Sequence, residues 1–506
     1  MSSRRIALVP LDERPVNTGL PADVAATASV ELAVPPVALM PQFRKAGDVP
    51  ALVDWLESEA ADPRTSAVIV CIDTLVHGGL VPARVTEDNA LDVLPRLNVL
   101  RRIHVDRPDL PISAISLVTR ATDSYSNVEE PEYWSGYGRD LHRLGGDVHR
   151  AWAAAISGSG TGAAVASALP ARLRDDFAIR RLRNHQVTLA ALDLQWHGVI
   201  QQLAITADDT ATFSAGSAEQ ALLNYWRELR PSELVDMYPG ADETGATMVA
   251  RTLVSASGER ISVRVVANSA AGMLLVPPYE NEPVEQSVLS QLHSSGAESA
   301  APGTAGDLTL IIHTPDPNRG DLFGAPGLRG AAADVAATVT AVRSALDEGA
   351  DVAVADLRFG NGADAALVEA LAAEGLLWRL CAFGGWNTAG NALGSTVALG
   401  VAFALAKRQG TLNRDAAIRA LARRVVDDYC WQSIQRAALT PSLFDGQIAP
   451  VGIDQARNAE PRALNALRST LRALNPPPSI EISSVSFPWR RSFEVQVGLS
   501  GDELIG

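Results

Sequence analysis

The stretch Ile200-Gln-Gln-Leu-Ala-Ile-Thr-Ala-Asp208-Asp209-Thr210 runs apolar for the length of a buried strand and then stops at two adjacent carboxylates. A buried strand has no need of paired acids at its tip, and neighbouring carboxylates repel unless a partner or a shared proton relieves them. The layout recurs at Leu8-Val-Pro-Leu-Asp12-Glu13-Arg14, at Val68-Ile-Val-Cys-Ile-Asp73 and at Leu234-Val-Asp-Met-Tyr-Pro-Gly-Ala-Asp242-Glu243. Acids collected at the ends of several apolar strands predict an α/β core with a polar site at one edge.

Working outward, strand-like runs alternate with helical ones. The strands expected are Ile6–Leu11, Val30–Val34, Ala67–Ile72, Ile112–Val118, Val199–Ala207, Leu234–Tyr238, Ile261–Ala267, Leu308–His313 and Val352–Leu357. Ala51–Glu59, Leu91–Ile103, Arg180–His197 and Ala333–Glu348 carry apolar residues at helical spacing between them. This order predicts a parallel sheet, either barrel-like (TIM-type) or doubly wound, with an appended helical and β C-terminal region. Ser294–Gly306 reads as a linker, and Ser157–Gly162, which no strand precedes, is a poor phosphate loop. The expected parts are a catalytic core over 1–293, a second α/β part over 307–410 completing it, and a helical and β region over 411–506. Within the last, Ile480–Val497 alternates as closing strands do.

Composition excludes several classes. At 47% hydrophobic and 20% charged, the 506 residues are those of a globular protein. A net charge of −15, from 43 basic against 58 acidic residues, leaves no basic stripe for phosphate backbones, so no nucleic-acid partner is expected. Three scattered cysteines make neither a disulfide framework nor a metal cluster. No uninterrupted apolar run reaches the roughly 18–20 residues that span a bilayer, and the stretch Ser395–Ala406 reads as a buried helix. With no signal-like N-terminus, a cytoplasmic location, no membrane partner and no cofactor are expected. The partner expected is a small-molecule or oligosaccharide substrate, and oligomeric state leaves no trace in the sequence.

Asp208, Asp209, Asp242 and Glu243 are the candidate catalytic acids. A helix cap or a first-turn acid is the structural alternative for one member of each pair. Asp12, Glu13 and Arg14 follow the first strand, with Arg14 placed to neutralise Asp12. Asp73 and His77 flank a turn to Gly78-Gly79, where backbone can approach a ligand closely. Asp73 and His77 are of the types that ligate a metal, but no paired histidine motif occurs among the eight histidines, and no metal ligands are assigned. Arg120 lies just past a strand, Glu129-Glu130 forms an acidic loop after it, and Asn184 is expected near a helix start, where capping competes with ligand binding. Asn361, Asp364, Trp386, Asn387 and Asn391 sit in Gly- and Asn-rich loops, and an aromatic ring flanked by amides suits a sugar.

The segments Pro10-Leu-Asp-Glu-Arg-Pro-Val-Asn17, Asp73-Thr-Leu-Val-His-Gly-Gly79, Ala207-Asp-Asp209, Gly240-Ala-Asp-Glu243, Asn361-Gly-Ala-Asp364 and Gly385-Trp-Asn-Thr-Ala-Gly-Asn391 together resemble a bacterial family, domain-of-unknown-function family 4127. The resemblance runs from about residue 5 to about residue 400 and implies little about activity. In arrangement alone, the acid pair followed by a late Trp-bearing loop is similar to barrel-type hexosaminidases that use the substrate's own acetamido group. That likeness implies Asp208 orienting the acetamido group, Asp209 as general acid, and Trp386 and Asn387 lining a sugar pocket. The function expected is therefore glycoside hydrolysis by paired carboxylates. The alternatives are a metal-dependent hydrolase or sugar isomerase with Asp12, Asp73, His77 and Asp209 as ligands, and a non-catalytic sugar-binding protein.

Overall fold

The computed structural model describes residues 4–160, 165, 167–301, 303–318, 320–446 and 449–502. Its chain folds into two compact units that are discontinuous in sequence. The first comprises Met1–Glu13, Glu31–Gly245 and Tyr279–Glu282, and the second Arg14–Val30, Ala246–Pro278 and Pro283–Gly506. The segments expected from sequence, 1–293, 307–410 and 411–506, are continuous.

The first unit is built on six parallel strands: β1 (Arg5–Val9), β2 (Glu31–Ala33), β3 (Thr65–Cys71), β4 (Ile112–Val118), β5 (Gln202–Ala207) and β6 (Val235–Pro239). Their spatial order is β2-β1-β3-β4-β5-β6. Every residue of β4 and of β5 is buried, as near-continuous apolar runs demand when helices cover both faces. One such cover is the long helix Ala171–Trp196, whose Val187, Ala191, Leu192 and Leu194 pack into the same core as Ile112, Leu203 and Ile205.

The second unit carries five parallel strands: β7 (Ile261–Ala267), β8 (Ala297–Ser299), β9 (Leu308–His313), β10 (Val352–Asp356) and β11 (Ala382–Gly384), in the order β11-β10-β9-β7-β8. A small antiparallel pair, β12 (Ile482–Ser486) and β13 (Gln496–Leu499), adds to it. The apolar helix Ala389–Gln409 is long and apolar enough to cross a membrane by length and composition, yet 94% of its apolar stretch is buried inside the protein. The C-terminal helices include an eleven-residue π-helical segment, Val425–Gln435.

Counted within each unit, the first five strands take one order, 2-1-3-4-5, and the first unit adds a sixth at the far edge. This is the doubly wound arrangement, with a topological switch between β1 and β3 and another between β7 and β9. Each sheet is open, so the TIM-type alternative gives way to the doubly wound one: a barrel would need β2 to pair with β6, and instead each ends the sheet. The proposed linker Ser294–Gly306 holds β8, a three-residue strand pairing with β7, with residue 302 outside the described set. Of the poor phosphate loop Ser157–Gly162, residues 161 and 162 likewise lie outside it.

Candidate functional site

The carboxyl ends of the first unit's strands gather most of the expected acids. After β1, Asp12 is 1% exposed, and Glu13 accepts a hydrogen bond from the Phe43 backbone N–H at 3.0 Å. After β3, the Thr74 hydroxyl donates to the Leu11 carbonyl at 2.7 Å and ties the two loops at the switch point. Asp73 turns inward and accepts from the Leu117 N–H at 2.9 Å. Burial pushes its carboxyl up to about 7, against the Leu117 hydrogen bond and the charges of Arg84 and Arg183. His77 ends the short helix Ile72–His77 and is 2% exposed, with neither ring nitrogen hydrogen-bonded. Burial, with Arg183 and Arg96 nearby, drives its pKa well below the usual value and keeps it neutral.

The densest chemistry lies at the tips of β4 and β5. Asp208 is ion-paired with Arg84. Asp209 pairs with Arg120 at 2.9 Å. The two arginines also share the acidic loop: Glu129 lies 3.1 Å from Arg84 and 2.9 Å from Arg120, and Glu130 lies 3.1 Å from Arg120. Four carboxylates thus meet two guanidiniums in a largely buried network. Burial opposes the charge on Arg120, but Glu129, Asp209, Asp208 and Glu130 more than reverse this and hold it firmly cationic. Burial also raises Glu130, against Arg84 and Arg120. Asp209 is pushed up to about 6, first by burial and then by the adjacent Asp208, with Arg120 and Arg84 pulling the other way. Its side chain is still 24% exposed, so it can exchange protons with solvent or ligand. The backbone at Asp209 is left-handed, with φ of +36°, a conformation uncommon outside glycine that aspartate and asparagine adopt more readily than other residues.

The acidic loop is fixed from behind. Arg44 donates to the backbone carbonyls of Asn127, Val128 and Glu130 at 2.9 to 3.0 Å. Glu129 and Glu130 are therefore parts of the charge network, not a solvated face. The capping alternative for the β5 acids falls to Ser214, which caps the helix Ala215–Leu229 through the Ser217 N–H. After β6, Glu243 is fully buried and accepts from the Ala241 N–H at 2.9 Å, while Asp242 is 5% exposed. Gly240, at φ of +147°, leaves the space that Glu243 occupies: a Cβ there would lie 1.9 Å from its Oε1.

Asn184 departs from expectation. It lies in the middle of Ala171–Trp196, not near its start, and its amide donates to the Ala83 carbonyl at 3.0 Å while accepting from Arg183 Nε at 3.0 Å. Both ends are used to hold the Ala83 turn. That turn belongs to the helix Leu80–Val85, which delivers Arg84. Arg84 was missed in the sequence; an arginine one turn beyond the Gly78-Gly79 pair was the available signal.

The remaining candidates belong to the second unit and are described there alone. Arg14 stacks 4.4 Å from the Trp489 ring centroid, with Arg491 at the same distance, and lies 3.8 Å from Glu494. Asn361 and Asn387 both have left-handed backbones and are joined by a 2.9 Å bond from the Asn361 N–H to the Asn387 carbonyl. The Asn361 amide donates to Asp321 at 3.1 Å. Asp364 caps the helix Ala365–Ala373 and meets His313 Nε2 at 3.2 Å. Trp386 is 3% exposed, its ring 5.7 Å from that of Phe493, so it is packed into the fold and does not offer an open sugar platform. Asn391 donates to the Thr388 hydroxyl at 3.2 Å. The loop carrying Trp386 is anchored where the Gly385 N–H donates to Asp428 at 2.8 Å. Asp428 itself sits in the π-helical segment, which no periodicity distinguishes from an ordinary helix. Among the described residues, no group of three or more His, Cys, Asp and Glu side chains is placed to hold a metal ion.

A doubly wound α/β protein with acids at its carboxyl strand ends belongs to a class whose sites are ligand-binding edges of parallel sheets. The chain is a member of the family described as Protein of unknown function (DUF4127), whose model matches residues 6–498. No curated protein and no solved structure matches it.

Proposed function

We propose that this protein is an acid–base enzyme of the glycoside hydrolase type, with Asp209 as its proton donor. The observation that carries the reading is the environment of Asp209 beside Asp208. Asp208 is ion-paired with Arg84, and burial together with that neighbouring acid raises Asp209 to about 6 while 24% of its side chain stays exposed. A carboxyl group raised toward neutrality by burial and a neighbouring acid, and still open to solvent, suits a proton donor.

In the proposed reaction Asp209 gives its proton to the glycosidic oxygen as the bond from that oxygen to the anomeric carbon breaks. A water molecule adds at that carbon, and its proton passes to a carboxylate, for which Glu243 or Asp242 at the tip of β6 is proposed. One water is consumed, one glycosidic bond is lost, and transfer of the proton back to Asp209 restores the starting state. On an N-acetylhexosaminide, Asp208 would orient the acetamido group. The adjacency of the two acids is what supports this variant, since the open sheets remove the barrel analogy. A sugar-contacting role for Asn361, Asp364, Asn387 and Asn391 is a separate proposal confined to the second unit, and the burial of Trp386 argues against its stacking face.

A screen of aryl glycosides, acetamido sugars included, tests the reading. On any hydrolysed substrate, Asp209→Asn lowers kcat by two orders of magnitude or more. The wild-type rate falls as pH rises through about 6, where the donor loses its proton. Retention of wild-type turnover by Asp209→Asn overturns the assignment. One observation favours the metal-dependent reading: the ring nitrogens of buried His77 carry no hydrogen bond. Of its other proposed ligands, however, Asp73 is committed to Leu117 and Asp209 to Arg120. Stoichiometric metal in protein purified without chelator would restore it.

A further inference from the structure

We infer that the helix Ala215–Leu229 pairs with its counterpart in a second copy of this chain, making the protein a two-fold dimer. One face of this helix buries Gly216, Ser217, Gln220 and Leu223 in the first unit. The opposite face carries Leu222, Tyr225, Trp226 and Leu229, which are 43%, 59%, 42% and 62% exposed. Their spacing, i, i+3, i+4 and i+7, places all four on one stripe. The Tyr225 and Trp226 rings meet edge to face at 5.3 Å and form a single raised aromatic surface. A stripe this apolar on a surface helix calls for a partner, because monomers seldom leave large contiguous apolar areas in water.

Three observations favour a second copy as that partner. The stripe reads the same in both directions, Leu-x-x-Tyr-Trp-x-x-Leu with only the two aromatics exchanged. In an antiparallel pair about a two-fold axis, Leu222 therefore faces Leu229 and Tyr225 faces Trp226, which is the self-complementarity an isologous contact requires. The charges beside the stripe are balanced: Arg227 and Arg230 against Glu228 and Glu233 line an adjoining groove of about 310 Å³ with Trp196. Two such faces meet without net repulsion, although the whole chain carries −15. The area also suffices. The four side chains leave roughly 400 Å² open per copy, and with Ala221, Glu228 and Arg230 a symmetric pair covers about 1,000 Å², the lower end of specific interfaces. Contacts near 1,000 Å² are characteristic of weak, reversible association, so the dimer is expected to dissociate on dilution.

Sedimentation velocity of the full chain at tens of micromolar tests this. The wild type is expected at twice the chain mass, dissociating on dilution. Tyr225→Glu with Trp226→Glu is expected at the single-chain mass, with an unchanged far-ultraviolet circular dichroism spectrum. Leu222→Arg alone should weaken association at least tenfold. A wild type that stays monomeric across the range overturns the inference, whether the stripe serves a different protein or none. So does a double variant that remains dimeric, since the contact would then lie elsewhere.

Discussion

Replacing Asp73 with asparagine is expected to stabilise the protein, and to do so only as pH rises. The carboxyl is 4% exposed and accepts a hydrogen bond from the Leu117 N–H. Burial lifts it from an ordinary 3.8 to about 7. For an acid raised on folding, the unfolded chain ionises first. Stability therefore declines from about pH 4 upward and levels once the folded carboxyl ionises near 7. At 1.36 kcal/mol per unit the whole decline is about 4 kcal/mol, of which roughly 3 kcal/mol falls between pH 5 and pH 8. Asparagine keeps an oxygen for the Leu117 N–H and has no charge to desolvate. Urea midpoints of wild type and Asp73→Asn should lie close at pH 4 and below, differ already at pH 5 and separate further at pH 8, with the variant the more stable. A variant that is equal or weaker at pH 8 refutes the reasoning, because Arg84 and Arg183 would then be holding Asp73 ionised in the folded state.

Two further outcomes follow from local geometry. Gly240→Ala places a methyl group on Glu243 and strains a backbone at φ of +147°; turnover should fall as far as in Glu243→Gln, and equal activity of wild type and alanine variant would remove Glu243 from the proposed chemistry. Ser214→Ala deletes the cap of Ala215–Leu229, with its 3.0 Å bond from the Ser217 N–H, and should cost about 1–2 kcal/mol in unfolding free energy at all pH values, read by urea titration.

The strands Ile112–Val118, Ile261–Ala267 and Leu308–His313 were legible residue for residue, because unbroken apolar runs between breakers leave little else to be. The short edge strand β8 was not: Ala297-Glu-Ser299 has a linker's composition, and its place in the sheet comes from pairing with β7. The helix Ala171–Trp196 starts nine residues before the expected Arg180, since its first turns set Leu173 and Phe177 among the charged Arg172, Arg174, Asp175 and Asp176 and show only a weak apolar period. That shift moved Asn184 from a cap to a mid-helix anchor. The acids at the tips of β1, β3, β5 and β6 were readable as strand endings. Their arginine partners were only half readable, because Arg84 reaches Asp208 across 124 residues and no spacing rule spans that distance. The choice between barrel and open sheet was undetermined, since both share the same alternation and differ only in which edges pair.

The left-handed turn at Asp209 has a bearing on how this residue can be interrogated. Asparagine tolerates φ of +36° at least as readily as aspartate, through its short side-chain amide, whereas valine or threonine would be crowded by their branched Cβ. An asparagine variant therefore removes the carboxyl's proton and its charge toward Arg120 while leaving the backbone in place. A β-branched one would disturb the peptide geometry that also carries Asp208 and Thr210, and any fall in rate would then mix two causes.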